Sequence, residues 1–177
     1  FRNIKLFTQI VILTFICFLS LSGCSKYSDE VQANLTKLKK TKACSGCDLS
    51  GVELISFDLK NADISGANLK GANLSKSDLT GANLTDTNLS DADLMGVNLT
   101  GATLTNTNLT GVKLSYANIS EVEMSNVMLV RAKMNNAKVV NSNISYTDMT
   151  GANLYNANLS DTRVSDKTLK DTILCQT

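Results

Sequence analysis

Ala67-Asn68-Leu69-Lys70-Gly71 is followed directly by Ala72-Asn73-Leu74-Ser75-Lys76, and this five-residue unit decides how the chain folds. Stepping by five from Leu49 to Leu174 gives 26 positions, which hold 18 Leu, 3 Ile, 3 Met and 2 Val without a polar residue or an insertion. Two residues before each stands a mostly small side chain, as at Ala62, Ala67, Ala72, Ser77, Ala82, Thr87 and Ala92. Between the two comes Asp63, Asn68, Asn73, Asp78, Asn83, Asn88 or Asp93. A repeat this regular outranks local propensity as a guide to architecture.

The period excludes ordinary elements. Five residues of helix advance about 500°, a net 140° or so, so the leucines would wander round the cylinder and form no stripe. In a continuous strand they would point alternately to opposite faces. All of them are buried only if each unit is a short extended piece closed by a corner. Ala67 and Leu69 then face inward, Asn68 faces outward, and the corner restores the phase. Eight of the ten glycines, Gly66, Gly71 and Gly81 among them, fall on the second residue after the central apolar one; Asn106, Asp161 and Asp166 take the same site elsewhere. These residue types tolerate positive φ. The chain is therefore expected to wind as a solenoid, with coils stacked by parallel backbone hydrogen bonds.

The unit A(D/N)LXX resembles the repeat of the pentapeptide repeat family, and the resemblance spans residues 47–176. It implies an all-β fold, a right-handed quadrilateral parallel β-helix with four sides and about 20 residues per coil. Hydroxyls at Ser65, Thr85, Thr105, Ser125, Ser145 and Ser165 agree with that coil length. At about 4.8 Å per coil, the repeats give roughly six and a half coils and a solenoid about 31 Å long.

Residues 1–23 differ from everything that follows. Arg2 and Lys5 precede an uncharged run from Leu6 to Ser22, the basic and apolar regions of an export signal. The run ends in Leu21-Ser22-Gly23-Cys24, which resembles the lipobox of bacterial lipoproteins. That resemblance implies diacylglycerol on the Cys24 thiol, cleavage before it and a lipid anchor in the membrane. Ser25 in the next position implies the outer membrane in a Gram-negative cell, on its periplasmic face or the surface. Two other readings stay open: an uncleaved membrane anchor, and a cleaved secretory signal with Cys24 incidental. All three export the domain.

Residues 24–46 are read as a tether and a short N-terminal capping α-helix. Ser28 or Asp29 supplies the N-cap, the first turn is acidic, Lys37, Lys39, Lys40 and Lys42 gather at the end, and Val31, Leu35 and Leu38 line one face. The helix is expected to cover the first coil; the alternative lays its basic end on anionic lipid. No comparable helix follows Leu174, which leaves the last coil for a homodimer contact or fraying.

Composition excludes whole classes of chemistry. With no His there is no Ser-His-Asp triad and no imidazole ligand. Cys44-Ser45-Gly46-Cys47 is one CxxC with only distant Cys175 to join it, so no zinc site is expected, and a thioredoxin-type motif would need an α/β frame. Either Cys47 simply fills the small inward site of the first repeat, or Cys44 and Cys47 close a short disulfide in an oxidising compartment. The outward positions gather no acid, base and nucleophile, and Asp58 and Asp78, one coil apart, read as a solvated ladder. No enzyme, cofactor or metal is expected.

The function expected is a non-catalytic, membrane-tethered structural or protein-interaction module of the bacterial envelope, with an unknown protein partner. The resemblance implies an alternative, a DNA-mimicking protein that binds gyrase and protects it from quinolones. Residues 47–177 carry 14 acids and 10 bases, a net −4, whereas DNA about 31 Å long carries roughly 18 charges. The mimicry is poor, and no nucleic-acid partner is expected either.

A partner site is expected where the outside of the repeat degrades while the inside stays intact. Between Val112 and Tyr155 the outward Asn or Asp gives way to Lys113, Met128, Lys133 and Lys138. Tyr116, Val130, Arg131 and Tyr155 appear beside them, so Lys113, Tyr116, Met128, Val130, Arg131, Lys133 and Tyr155 form the candidate patch.

Overall fold

The computed structural model describes residues 25–144, 146–164, 169 and 171–174. From Ala43 onward each backbone bridge is parallel and joins a residue to the one twenty further on, from Ala43 with Asp63 to Asn153 with Ile173. A coil is therefore four five-residue units, and its cross-section has four sides. The ladder starts one unit before Cys47, where the sequence register was expected to open: Ala43 is the first outward residue and Cys44 the first central one. Cysteine at that site hid the unit, because it breaks the run of Leu, Ile, Met and Val.

Backbone hydrogen bonds in the unit Asn68–Ala72 explain its residue types. Asn68 N–H donates to Cys47 O of the preceding coil (2.9 Å), and Leu69 N–H to Asn88 O of the following one (2.7 Å). Gly71 N–H reaches Ser90 O (2.9 Å), and Ala72 N–H turns back across the corner to Leu69 O (3.0 Å). Only the first corner amide, that of Lys70, finds no backbone acceptor in this scheme, and Asn68 Oδ1 takes it at 3.3 Å. Asp78 serves Thr80 in the same way at 3.0 Å, Asn88 serves Ser90 at 3.1 Å, and Asn108 serves Thr110 at 3.0 Å. The outward Asn or Asp thus closes the hydrogen-bond account of the corner. The second corner residue lies in the left-handed region, as at Gly71 with φ 65°, which glycine enters without strain.

The core is a stack of central residues, buried from Leu49 through Leu154. Small inward residues pack between them, and the inward hydroxyls of Thr87 and Thr107 donate to Ile64 O (3.0 Å) and Leu84 O (2.8 Å). At the far end Leu159, Val164 and Leu169 are only partly buried, and Leu174 is exposed.

Helix α1, Asp29–Thr41, lies at the near end. Ser28 Oγ accepts the Val31 N–H at 3.2 Å, Asp29 and Glu30 occupy the first turn, and Lys39 and Lys40 the last, an order that suits the helix dipole. Val31, Leu35 and Leu38 are buried in the same cluster as the first coil. The edge of that coil is also satisfied: Asn34 Nδ2 donates to Asp48 O (3.0 Å), and Tyr27 Oη accepts the Glu53 N–H (3.0 Å). The segment expected as a tether is therefore docked from Lys26 on. Lys26 Nζ stands 3.1 Å from Glu53 Oε1, and Tyr27 packs against the core.

Candidate interaction surface

The coil brings the candidate residues onto two adjoining sides and the corners that bound them. Lys113 and Lys133 bridge directly, with Asp93 below and Asn153 above in the same column. Lys113 Nζ lies 3.2 Å from Asp93 Oδ2, which offsets part of the like-charge contact with Lys133. Met128 stands between Asn108 and Asp148 on the neighbouring side. Arg131 is exposed at the corner between those sides, and its stem leans toward Gly151, where an added Cβ would meet Arg131 Cγ at 3.6 Å. Val130, at the first position of the same corner, is half-buried rather than fully exposed. Tyr116 is 66% exposed, and Tyr155 is exposed as well.

Two residues of this surface escaped the sequence reading. Ile55, Met95 and Tyr155 occupy the same corner position in different coils, and Tyr116 is the next residue of that corner, so one edge carries four exposed apolar side chains. Between Met95 and Tyr116 a groove of about 310 Å³ is lined by Ser75, Lys76, Asp93, Gly96 and Ser115. The signal was available as an apolar residue recurring after whole multiples of twenty.

The surface is assembled at a local cost. Of the six outward residues from 113 to 138, five (Lys113, Glu123, Met128, Lys133 and Lys138) are neither Asn nor Asp, against two of the thirteen from 48 to 108, Glu53 and Thr103. The corner cap is therefore surrendered in a block, at roughly 0.5–1.5 kcal/mol for each hydrogen bond. Left-handed corners in the same stretch also hold unfavourable residue types, Tyr116 (φ 62°), Glu121 (φ 62°) and Arg131 (φ 57°), and Tyr146 (φ 68°) follows just beyond it. Restoring one cap should be measurable. Met128→Asn is expected to stabilise the protein by about 0.5–1.5 kcal/mol in denaturant unfolding, and an unchanged midpoint would contradict this role of the outward amide.

A second cavity, about 410 Å³, is lined by Glu121, Glu123, Ser142, Asn143, Asp161 and Arg163. Its central carboxylate is already engaged, for Glu123 accepts from Asn143 Nδ2 (3.0 and 3.1 Å) and Ser125 Oγ (2.9 Å). Among the described residues no group of three or more Cys, Asp or Glu could hold a metal ion. Cys24 lies outside the described residues. Cys44 and Cys47 are joined by a disulfide and are buried, Cys44 in the central site and Cys47 in the small inward one.

Several outward carboxyls are held below the ordinary carboxylate range by the donors around their corners. The Ser50 N–H does this for Asp48, the Ser65 hydroxyl for Asp63, the Thr80 hydroxyl for Asp78 and the Thr150 hydroxyl for Asp148; the Lys42 ammonium does so for Asp58. A carboxyl whose pKa is lowered by folding stabilises the fold above its unfolded value, near 3.9, and that stability is lost as pH falls through the folded value. With no His in the chain, the melting temperature is expected to stay flat between about pH 6 and 8 and to fall below about pH 4. A marked change across pH 6–8 in thermal scans would contradict this assignment.

Comparison with known proteins agrees with the repeat geometry. The family description "Pentapeptide repeats" matches in eight copies, covering residues 44–81, 72–111, 92–129, 107–145 and 132–166. A pentapeptide repeat protein involved in heterocyst differentiation regulation, from the cyanobacterium Nostoc, is similar at 27% identity, with 75% of this chain and 70% of that one covered and a TM-score of 0.49. One from the thylakoid lumen of Arabidopsis thaliana is 26% identical over 82% of this chain and 79% of its own, with a TM-score of 0.46. A plasmid-mediated fluoroquinolone resistance protein shares 21% identity over 68% of this chain and 62% of its own, with a TM-score of 0.42. Proteins of curated function give no match. With the repeat matched throughout residues 44–166, the chain belongs to the pentapeptide repeat family, whose members form right-handed β-helices.

Proposed function

We propose that this protein is a non-catalytic lipoprotein of the bacterial envelope, tethered through lipid on Cys24, with α1 as the solenoid's cap, and that it acts as a structural or protein-interaction module. The observation that carries the interaction role is the block of surrendered corner caps from Lys113 to Lys138. Stability is given up there for Lys, Met, Arg and Tyr side chains that the core does not need. Residues that violate local rules without a packing gain are those a binding surface explains, and aromatic, Met and Arg content is typical of contact patches. The tether is supported by Leu21-Ser22-Gly23-Cys24 at the end of the apolar run. A second copy docking on the last coil, where Ile173 and Leu174 are exposed, is a further candidate contact.

Metabolic labelling with palmitate tests the tether. The wild-type chain is expected to take up label and Cys24→Ala to take up none; label on the variant would remove the lipoprotein assignment. Crosslinking in intact cells followed by purification of the lipidated protein would then identify the partner.

The gyrase-binding alternative fits this surface poorly. DNA mimicry needs dense negative charge, and here the net charge of residues 47–177 is −4, with Lys113, Arg131, Lys133 and Lys138 exposed. The protein is expected to leave supercoiling by purified gyrase unchanged, with or without a quinolone. Inhibition at stoichiometric concentration would reverse this ranking.

A further inference from the structure

The lysines of the cap divide into two groups. Lys26 and Lys42 are paired with Glu53 and Asp58 of the first coil at 3.1 and 2.8 Å, and Lys39 lies over the Phe57 ring at 5.8 Å. Lys37 and Lys40 are exposed on α1 and have no ion-pair partner among the described residues. Residues 25–46 together carry a net +3, against −4 in residues 47–177. The molecule is thus electrically polarised along its axis, with the positive end at the residues that follow Cys24.

The chain between Cys24 and the solenoid has almost no slack. Tyr27 is fixed to the first coil through its hydroxyl and its packing, and Lys26 through Glu53. Three residues span at most about 11 Å, close to one Debye length at physiological salt, about 8 Å. A lipid on Cys24 would bring the cap within electrostatic range of the headgroups. Side-on contact near the anchor would bring up Asp48, an outward acid of the first coil with no ion pair among the described residues, and on the next two sides only Glu53 and Asp58, already neutralised by Lys26 and Lys42. On α1 itself Asp29 and Glu30 are exposed in the first turn, next to the anchor, so the outward positive charge belongs to the C-terminal half of the helix, where Lys37 and Lys40 stand and no acid accompanies them.

Resting on the Cys24 reading, we infer that the exposed face of α1 seats on anionic headgroups of the membrane that carries the anchor, through Lys37 and Lys40, so that the solenoid stands end-on. The occupant of this face is an anionic bilayer. The patch around Arg131 is then held several coils away from the membrane, with its sides open.

The test uses the full chain purified from bacterial membranes and reconstituted in vesicles of phosphatidylcholine with about one third phosphatidylglycerol, or of phosphatidylcholine alone. Amine acetylation is followed lysine by lysine with mass spectrometry, and the same spectra report the acyl group on the Cys24 peptide. Lys37 and Lys40 are expected to react at least fivefold more slowly on the anionic vesicles, with Lys133 reacting equally on both. Equal rates for Lys37 and Lys40 on the two vesicle types, with Cys24 acylated, would overturn end-on seating and leave the lipoprotein reading intact. A Cys24 peptide without acyl chains would remove that reading and the seating together.

Discussion

Leu99→Ala is expected to destabilise the protein by about 3–5 kcal/mol, the upper part of the range for a buried leucine. Leu99 is 1% exposed and stacks between Leu79 and Ile119 of the neighbouring coils. Its cavity has little means of closing, because the coil spacing is held by backbone bonds on both sides. Leu79 N–H donates to Asn98 O and Leu99 N–H to Asn118 O, each at 2.7 Å. A site that cannot collapse retains the full penalty for lost contacts. Each coil touches only its neighbours, so one defect weakens two interfaces. Leu159→Ala, at a partly buried site near the far end, is expected to lose clearly less. Denaturant unfolding of the two variants provides the comparison, and a loss below about 1 kcal/mol for Leu99→Ala would contradict an enclosed, rigid interior.

Charge reversal at Arg131 and Lys133 together is expected to abolish partner capture, at least tenfold, with stability kept within about 0.5 kcal/mol. Both side chains are exposed. Glutamate already occupies a left-handed corner at Glu121 (φ 62°), so Arg131→Glu adds no new kind of backbone strain. Lys133→Glu replaces a like-charge contact with Lys113 by an attractive one, since the two bridge directly. Loss of capture therefore could not be ascribed to unfolding. The measurement pairs crosslinked recovery from cells with a thermal melt of the same preparation; recovery that survives the double variant would take this patch out of consideration.

How much of this was legible depended on which side of the backbone carried the information. The inward residues repeat every five positions, and the register from Leu49 to Leu154 reads directly because burial tolerates nothing polar there. Coil length came from the family resemblance and is seen here in bridges twenty residues apart. Cys44 was passed over because it breaks the apolar run, although it sits in the central site. The docking of Tyr27 on Glu53 N–H was not legible, since one aromatic in a polar segment gives no periodic signal. The edge formed by Ile55, Met95, Tyr116 and Tyr155 spans a hundred residues of sequence and becomes visible only after folding at twenty. Asp58 and Asp78 were read as a solvated ladder, and nothing in the sequence told that each also accepts a corner amide, from Lys60 and Thr80.

Because the interior repeats at five and the exterior at twenty, changes of chain length act on the two separately. Loss of a single unit, such as residues 101–105, would return each later leucine to an equivalent inward site. It would also turn everything beyond the break by a quarter of the circumference. Lys113 would then no longer stand over Asp93, and columns that match at 2.6–3.4 Å, such as Asn126 on Asn106, would meet strangers. Loss of four units would shorten the molecule and leave its faces in alignment. Lineages that gain or lose repeats can therefore shuffle the outer faces in whole-quarter steps while the interior stays in frame.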